Sequence, residues 1–514
     1  MLHIYNTLTR EKERFKPLRQ EEVKVYFCWP TPYNYAHIWN LKTYVFEDYI
    51  IKTLKFLWYK VKTTMNITDI DDKTIRDSQK AWEKLLPYTE KYTNYFLEDL
   101  KKLNITLADN IVPISTLIDE MVLMINGLIK KWYAYLWDDQ SIYYDIKKFR
   151  KYWNLAHLDF SWMKKSVRIN NDEYDKENPW DFVLWKAWKQ DEWENYWEKE
   201  FEIPVENWKL KVESNKQKLQ DNIKKVILKW RPGWHIECSA CNMKYFWAQI
   251  DIHMWWVDNI FPHHENEIAQ SEAYTWKQFS KYWIHGGHIT VDGKKMAKSA
   301  NNFYTLKDLE EKFSPHSNSI PNGEGIVSKS VLYRAIRLSF MNAKYRESVD
   351  FSFDKLLANF NTISKIDESI KKLERFLETN LEERVPTRDF REEMQDYIWE
   401  YIWKLEDDFN MPEALGVFFN FISFSNTKID SWTLSKSEAM SLLDMYKTFN
   451  DVLSLINFNE SKDDFPENIK ELFEKRNESK KNKDFKKADE LRDELLEKWY
   501  KIIDDRSWSF LERV

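Results

Sequence analysis

The sequence predicts an α/β protein: a doubly wound parallel sheet with an insertion, followed by α-helical domains. Three observations predict it. VKVYFC (23–28) alternates like a half-buried strand, Ile38 to Leu57 repeats apolar residues at helical spacing, and from about residue 326 the pattern becomes a series of amphipathic helical segments.

With 514 residues the chain can bury several cores, and two to four domains are expected. VKVYFC runs into the Pro-rich turn WPTP. Leu41, Val45, Tyr49, Ile50 and Leu54 then mark one helical face, and VKTTMNITDI (61–70) reads as a second strand. Strand, helix, strand is a βαβ unit, and ligands of such sheets bind at the carboxyl ends of the strands, where Cys28 falls. Residues from roughly 115 to 229 are charged and aromatic, with a helical stretch expected after Asn207 (WKLKVESNKQKLQDNIKKVI); this is an insertion within the sheet domain. Strand signals return at QIDIHM (249–254) and HITVDG (288–293). SPHSNSIPNGEG (314–325) reads as a loop, and MPEALGVFFNFI and SKSEAMSLLDMYKTF (435–449) as helices. No internal repeat is evident. The Lys-rich ESKKNKDFKKADELR (478–492) fits either a solvated helix face or an RNA-backbone contact.

The net charge of -6 neither demands nor excludes a nucleic-acid partner. Three cysteines (Cys28, Cys238, Cys241) cannot form a disulfide framework, which points to a reducing compartment. The charged start lacks the apolar core of a signal peptide, and no run of about 18 apolar residues appears, so a cytoplasmic protein without a membrane partner is expected. One feature of the composition is abnormal. Gly (8) and Trp (26) together make 34 residues, about 6.6 % of the chain, whereas glycine alone averages about 7 %. Glycine is needed wherever backbone takes φ > 0 or passes close to a ligand, so many of the tryptophans read as glycine positions.

Six of the ten histidines lie between His235 and His288, with two of the three cysteines. FPHHENEIAQSEAY places His263 and Glu267 at i and i+4, on one helical face. With Cys238 from HIECSAC and Cys28 from the strand end, four ligands suited to zinc could converge. A His-x-x-x-Glu pair is also a common surface pairing. Cys238 and Cys241 could be half of a zinc ribbon, though no second pair completes it, and His253, His264 and Glu265 are ligands by type. Spacing leaves these alternatives open. In DGKKMAKSANN, lysines on a loop after a Gly turn can hold phosphates as point charges or simply be solvated. His37, at a helix start after a strand and a Pro turn, fits an anion site at a helix N-terminus, or a cap.

Taken in order, CWPTPYNYAHIWN (28–40), NITDIDDK (66–73), RPGWHIECSA (231–240), FPHHENEIAQSEA (261–273) and KMAKS (295–299) closely resemble the cysteinyl-tRNA synthetases. HIWN resembles that family's version of the HIGH signature and KMAKS its KMSKS loop. The resemblance continues through LWK (184–186), KYRESVDFS (344–352), DDFNMPEALGVFF (407–419) and DFKKADELRDELLEKWYKIIDD (484–505), and so covers nearly the whole chain. It implies a Rossmann-type class I catalytic domain over 1–313 with the insertion at about 115–229, a helical stem-contacting region over 326–390, and a helical anticodon-binding domain over 391–514.

The resemblance further implies one zinc ion at Cys28, Cys238, His263 and Glu267, binding the thiolate of substrate L-cysteine, so that no editing site is needed. Trp234 would close over the amino acid, with Thr68 beside it. The substrate carboxylate would attack the α-phosphorus of ATP, accompanied by Mg²⁺, and the acyl group would pass from cysteinyl-adenylate to the terminal adenosine of cysteine tRNA. His37 and Asn40 would stand at the phosphates, Lys295 and Lys298 would clamp them, and Trp39 and Asp258 would lie at the adenosine. A monomer is expected. The alternatives are a tRNA-binding paralogue with a dead ATP site, and a ligase joining cysteine to a small amine, against which the helical 390–514 region argues.

The chain departs from that family's pattern at Trp29, Trp39, Trp230, Trp255 and Trp256, all family glycines. Cys241 stands for Met, Met254 for Gly, and Ala297 for the Ser of KMSKS. An indole at the HIGH-type glycine would fill the space for adenine. The expectation is a gene that uses UGA for glycine, written here with UGA as tryptophan, while Gly233, Gly286, Gly287 and Gly293 stay glycine. Trp185 and Trp234 read as genuine tryptophans, Trp153 and Trp499 as glycines.

Overall fold

The computed structural model describes residues 1–28, 31–158, 181–204, 223–296, 302–313, 328–379, 381–458, 466–482, 484–498, 500–504 and 509–513. Two compact units result, residues 1–456 and 457–514.

The first unit opens with a short antiparallel pair, β1 (His3–Asn6) and β2 (Glu11–Arg14). β3 (Val23–Phe27), α1 (Ile38–Phe56) and β4 (Val61–Ile67) form the expected βαβ unit, and α2 (Asp72–Lys80) and α3 (Leu85–Lys102) lead on to β5 (Asn110–Pro113). After α4 (Ile118–Lys130) the insertion builds an antiparallel layer from β6 (Ala134–Leu136), β7 (Ile142–Tyr144), β8 (Phe182–Ala187), β9 (Trp197–Pro204) and β10 (Ile223–Pro232). Its spatial order is β6-β7-β8-β10-β9. Of the helical stretch expected after Asn207, residues 208–222 lie outside the described residues. Residues 223–227 belong to β10 instead, paired with β9 from Ile223–Pro204 onward. The run IKKVIL (223–228) mixes lysine and apolar residues without a clear period, and pairing with β9 makes it a strand. The expected loop at 314–325 also lies outside the described residues.

α5 (Trp234–Phe246), β11 (Ile250–Trp256), α6 (Glu265–Thr275) and β12 (Ser280–Gly286) return the chain to the first sheet, whose order is β12-β11-β3-β4-β5, all parallel. In chain order this is 3-2-1-4-5, the doubly wound arrangement, with the insertion between its third and fourth strands. β3 is central and buried on both faces at Val25, Tyr26 and Phe27, as a parallel strand covered by helices requires. The crevice between β3 and β11, where strand order reverses, is the topological switch point.

A small sheet of β13 (Ile289–Val291), β14 (Lys294–Lys295) and β15 (Val349–Phe351) follows, with α7 (Leu306–Lys312) and α8 (Lys329–Met341) in the chain between them. Asp292 and Gly293, at φ 50° and 71°, make the tight turn between β13 and β14. α9 (Phe353–Glu378), α10 (Arg388–Glu406), α11 (Met411–Asp430) and α12 (Lys436–Leu453) complete the unit. The second unit holds α13 (Glu467–Lys481) and α14 (Phe485–Glu497). β16 (Tyr500–Asp504) and β17 (Ser509–Arg513) add an antiparallel hairpin to the helices expected there, around a core of Ile469, Leu495, Tyr500 and Ile502. No described helix is long and apolar enough to cross a membrane.

Candidate functional site

Cys28 directly follows β3, Cys238 lies on α5, and His263 and Glu267 stand one turn apart where residues 260–264 run into α6. All four are buried. Cys28 Sγ lies 3.7 Å from Cys238 Sγ, 3.9 Å from His263 Nε2 and 3.9 Å from Glu267 Oε1. His263 Nε2 is 3.5 Å from Cys238 Sγ and 3.0 Å from Glu267 Oε1. One ligand atom from each residue falls within 4.8 Å of all the others. A second set, Cys28, His253, His264 and Glu267, meets the same distance test. The first set has both thiols and is the better match to zinc.

The charges agree with that donor set. Burial raises the Cys28 thiol. Burial opposes a thiolate at Cys238 too, yet the Cys28 and His263 contacts outweigh it and hold that thiol down to about 6. Burial likewise disfavours an imidazolium at His263, but Cys238 and Glu267 push it up to about 10. Burial works against the Glu267 carboxylate, and His253 and His263 overcome it, down to about 2. These shifts favour the anionic forms of Cys238 and Glu267, the forms in which they would ligate a divalent cation.

A layer of histidines surrounds these four. His253 Nε2 lies 3.0 Å from Glu267 Oε2, His235 Nδ1 2.9 Å from His263 Nδ1, and His264 Nδ1 2.9 Å from His285 Nε2. Each fixes a ring or carboxylate that faces the cluster. Sequence reasoning nominated His253 and His264 as ligands by type, and gave no role to His235 or His285. The dense histidine window was their signal.

A cavity of about 310 Å³ opens above the cluster, lined by Cys28, Thr68, Trp234, Cys238 and His263, and further out by His37 and Asn40. Thr68 Oγ1 donates to Glu237 Oε2 at 2.9 Å, and burial raises that carboxyl well above its ordinary value. The Trp234 ring sits 4.3 Å from the His263 ring and remains half exposed at the cavity edge.

His37 caps α1: the Asn40 N–H donates to His37 Nδ1 and the His37 N–H donates to Asn40 Oδ1, both at 3.4 Å. Beside it lies a second cavity of about 190 Å³, lined by His37, Trp39, Asn40, Trp255, Trp256 and Phe303 among others. Trp39 and Trp256 meet edge to face at 4.1 Å there, and the Trp39 indole N–H is buried without a hydrogen-bond partner among the described residues. Asp258, in the turn after β11, lines neither cavity; its carboxylate is 3.5 Å from His288 Nε2. Lys295 ends β14, and Lys298 and Trp29 lie outside the described residues.

Residues 14–209 and 207–361 match the family described as the tRNA synthetases class I (C) catalytic domain, and residues 400–457 match the DALR domain. A cysteine–tRNA ligase of Chlamydia muridarum is 36% identical over 522 residues, covering 100% of both chains. That of Brachyspira hyodysenteriae is 38% identical over 507 residues, 98% of this chain and 97% of its own. The chain belongs to the cysteine–tRNA ligase family. Solved structures with the same fold include methionyl-tRNA synthetase of Mycobacterium tuberculosis, with a TM-score of 0.52 at 11% identity over 85% of this chain and 90% of that one. LeuRS of Agrobacterium radiobacter K84 gives 0.55 at 10% over 85% and 84%. As a member of the cysteine–tRNA ligase family the chain is an aminoacyl-tRNA ligase, and the Rossmann-type sheet with C-terminal helices matches the α/β fold class expected from its sequence.

Proposed function

We propose that the chain joins L-cysteine to the 3′ end of cysteine tRNA in two steps. The substrate carboxylate attacks the α-phosphorus of ATP, forming the acyl–phosphate bond of cysteinyl-adenylate and releasing pyrophosphate. The terminal adenosine hydroxyl then takes the acyl group and AMP leaves. The observation that supports this reading is the buried Cys28, Cys238, His263 and Glu267 set, the first three of which line a cavity that also reaches His37 and Asn40 at the N-terminus of α1. These four residues would hold zinc, which when bound offers a soft position that prefers the substrate thiolate to a serine hydroxyl. Trp234 and Thr68 would then border the amino acid.

His37, Asn40 and the positive N-terminal end of α1 would steady the phosphates. Lys295 and Lys298 clamp them as negative charge develops, Asp258 serves the adenosine, and Mg²⁺ travels with ATP. Residues 1–313 carry the chemistry, 326–390 contact the tRNA stem, and 391–514 bind the anticodon. A catalytically dead paralogue is the second reading, favoured by the Trp39–Trp256 pair if both indoles are real.

Cysteine-dependent ATP–pyrophosphate exchange decides between them, using protein made with glycine at positions 29, 39, 230, 255 and 256. Exchange that is lost on zinc chelation and regained with zinc is expected, followed by charging of cysteine tRNA. No exchange in the zinc-replete protein would overturn the proposal, and exchange without transfer to tRNA would favour the small-amine ligase.

A further inference from the structure

Backbone conformation sorts the tryptophans into two populations. Among the described residues sixteen non-glycine residues have positive φ, and eight of them are tryptophan, at φ between 55° and 87°. Among the described glycines only Gly293 does the same. A bulky side chain in that region is a steric outlier, because Cβ crowds the following carbonyl.

Most of these tryptophans stand where helices end. At Trp58 and Trp82 the backbone makes the paired bonds of a glycine-type helix stop: Trp58 N–H to Lys55 O with Tyr59 N–H to Leu54 O, and Trp82 N–H to Gln79 O with Glu83 N–H to Ser78 O. Trp132 repeats the pattern after α4, its N–H bonding Ile129 O and that of Tyr133 bonding Leu128 O. Trp276 ends α6 at φ 60°, ψ 21°. Trp247, after α5, sits at φ 68°, ψ -148°, a region open in practice to glycine alone. At two of these positions the indole faces solvent: Trp58 is 95% exposed and Trp82 87%.

The other population is the reverse. Trp185 and Trp283 are fully buried and show no positive φ. Trp185 packs on Phe201, and Trp283 stacks on His253 at 4.5 Å beside the metal cluster.

We propose that the protein made in its own cell carries glycine at Trp58, Trp82, Trp132, Trp247, Trp276 and Trp432, and at the loop positions Trp153 and Trp193, while Trp185 and Trp283 are tryptophan. One letter in this sequence therefore stands for two residues, and backbone φ reads which is which. The assignment is independent of the reaction the protein performs. It agrees with glycine at 39 and 256, where removing two indoles would enlarge the cavity beside His37.

Two measurements test it. Peptide mass spectrometry of the protein purified from its own cells should show glycine across 58, 82, 247 and 276, and tryptophan at 185 and 283. Indole masses at the first four, or glycine at the last two, would overturn it. In a host that inserts tryptophan at every one of these positions, Trp58→Gly, Trp247→Gly and Trp276→Gly should each raise the thermal midpoint, and Trp185→Gly should lower it. A lowered midpoint for the first three would equally overturn the assignment.

Discussion

Glu267 is held from two sides, with His263 Nε2 3.0 Å from one carboxylate oxygen and His253 Nε2 3.0 Å from the other. A metal held by the proposed set would feel His253 only through Glu267, whose one oxygen that contact occupies while the other faces the two thiols. His253→Ala should weaken zinc binding about 10–100-fold, as loss of such an outer partner does. Competition with a calibrated chelator measures it, and an unchanged affinity would mean that Glu267 needs no such support. Cys238→Ser replaces a soft donor by a hard one, so its zinc content by elemental analysis should fall well below one per chain. Spacing alone left open whether Cys28, Cys238, His263 and Glu267 meet; the family resemblance named them as one set, and the structure brings their ligand atoms together. Cys28 and Cys238 are 210 residues apart, and the packing of α5 on β4, the strand beside β3, brings their elements together. Likewise Lys295 could be named as a phosphate residue from its motif, yet no spacing rule says where a hairpin points it.

At the scale of the element, the start of α12 shows how a helix end can set acid stability. Glu438 accepts from the Ser435 N–H at 2.9 Å and the Thr387 N–H at 3.0 Å, and pairs with Arg384 at 3.1 Å. Burial alone would raise this carboxyl; the two N–H groups and the guanidinium outweigh it and hold it down to about 2. Its folded value lies below the ordinary carboxylate value. Its contribution is therefore present at neutral pH and is lost as pH falls toward about 2. Glu438→Gln keeps the shape and removes the charge. Its thermal midpoint should be lower than that of the parent at pH 7, with the gap closing toward pH 2; a constant gap would place the effect in packing. The helix over 435–449 was expected from its pattern, but the capping box of Ser435 with Glu438 and the partners at Arg384 and Thr387, on the connection before α10, come from the structure. β10 shows the opposite failure. The lysine-rich run through Ile227 was expected to be helical, and from Ile223 onward pairing with β9 makes it a strand instead.

Across the first unit, buried charges join the sheet domain to the helices that follow it. Asp408, in DDFN, accepts from the Tyr5 N–H and the Tyr345 hydroxyl, both at 2.8 Å, and pairs with Arg346 at 3.1 Å, so two motifs far apart in sequence serve one contact. Arg337 on α8 is the larger tie. Its guanidinium reaches Asp48 on α1 at 2.5 Å, Leu453 O at the end of α12 at 2.7 Å and Leu103 O after α3 at 3.2 Å. Neither Arg337 nor Asp48 is reached by solvent. Asp48 also takes Lys52 at 2.8 Å and the Thr106 N–H at 2.9 Å. Such a pair adds little over well-packed apolar residues, but removing one member strands the other. Arg337→Met should therefore destabilise the unit by about 2–4 kcal/mol, because two buried carbonyls lose their donor and Asp48 keeps only Lys52 and the Thr106 N–H. Arg337→Met with Asp48→Leu should recover part of that loss, since no stranded carboxylate remains. Denaturant unfolding of the three proteins measures both steps. A single variant within about 1 kcal/mol of the parent would show instead that apolar packing alone holds α1 to the helices behind it.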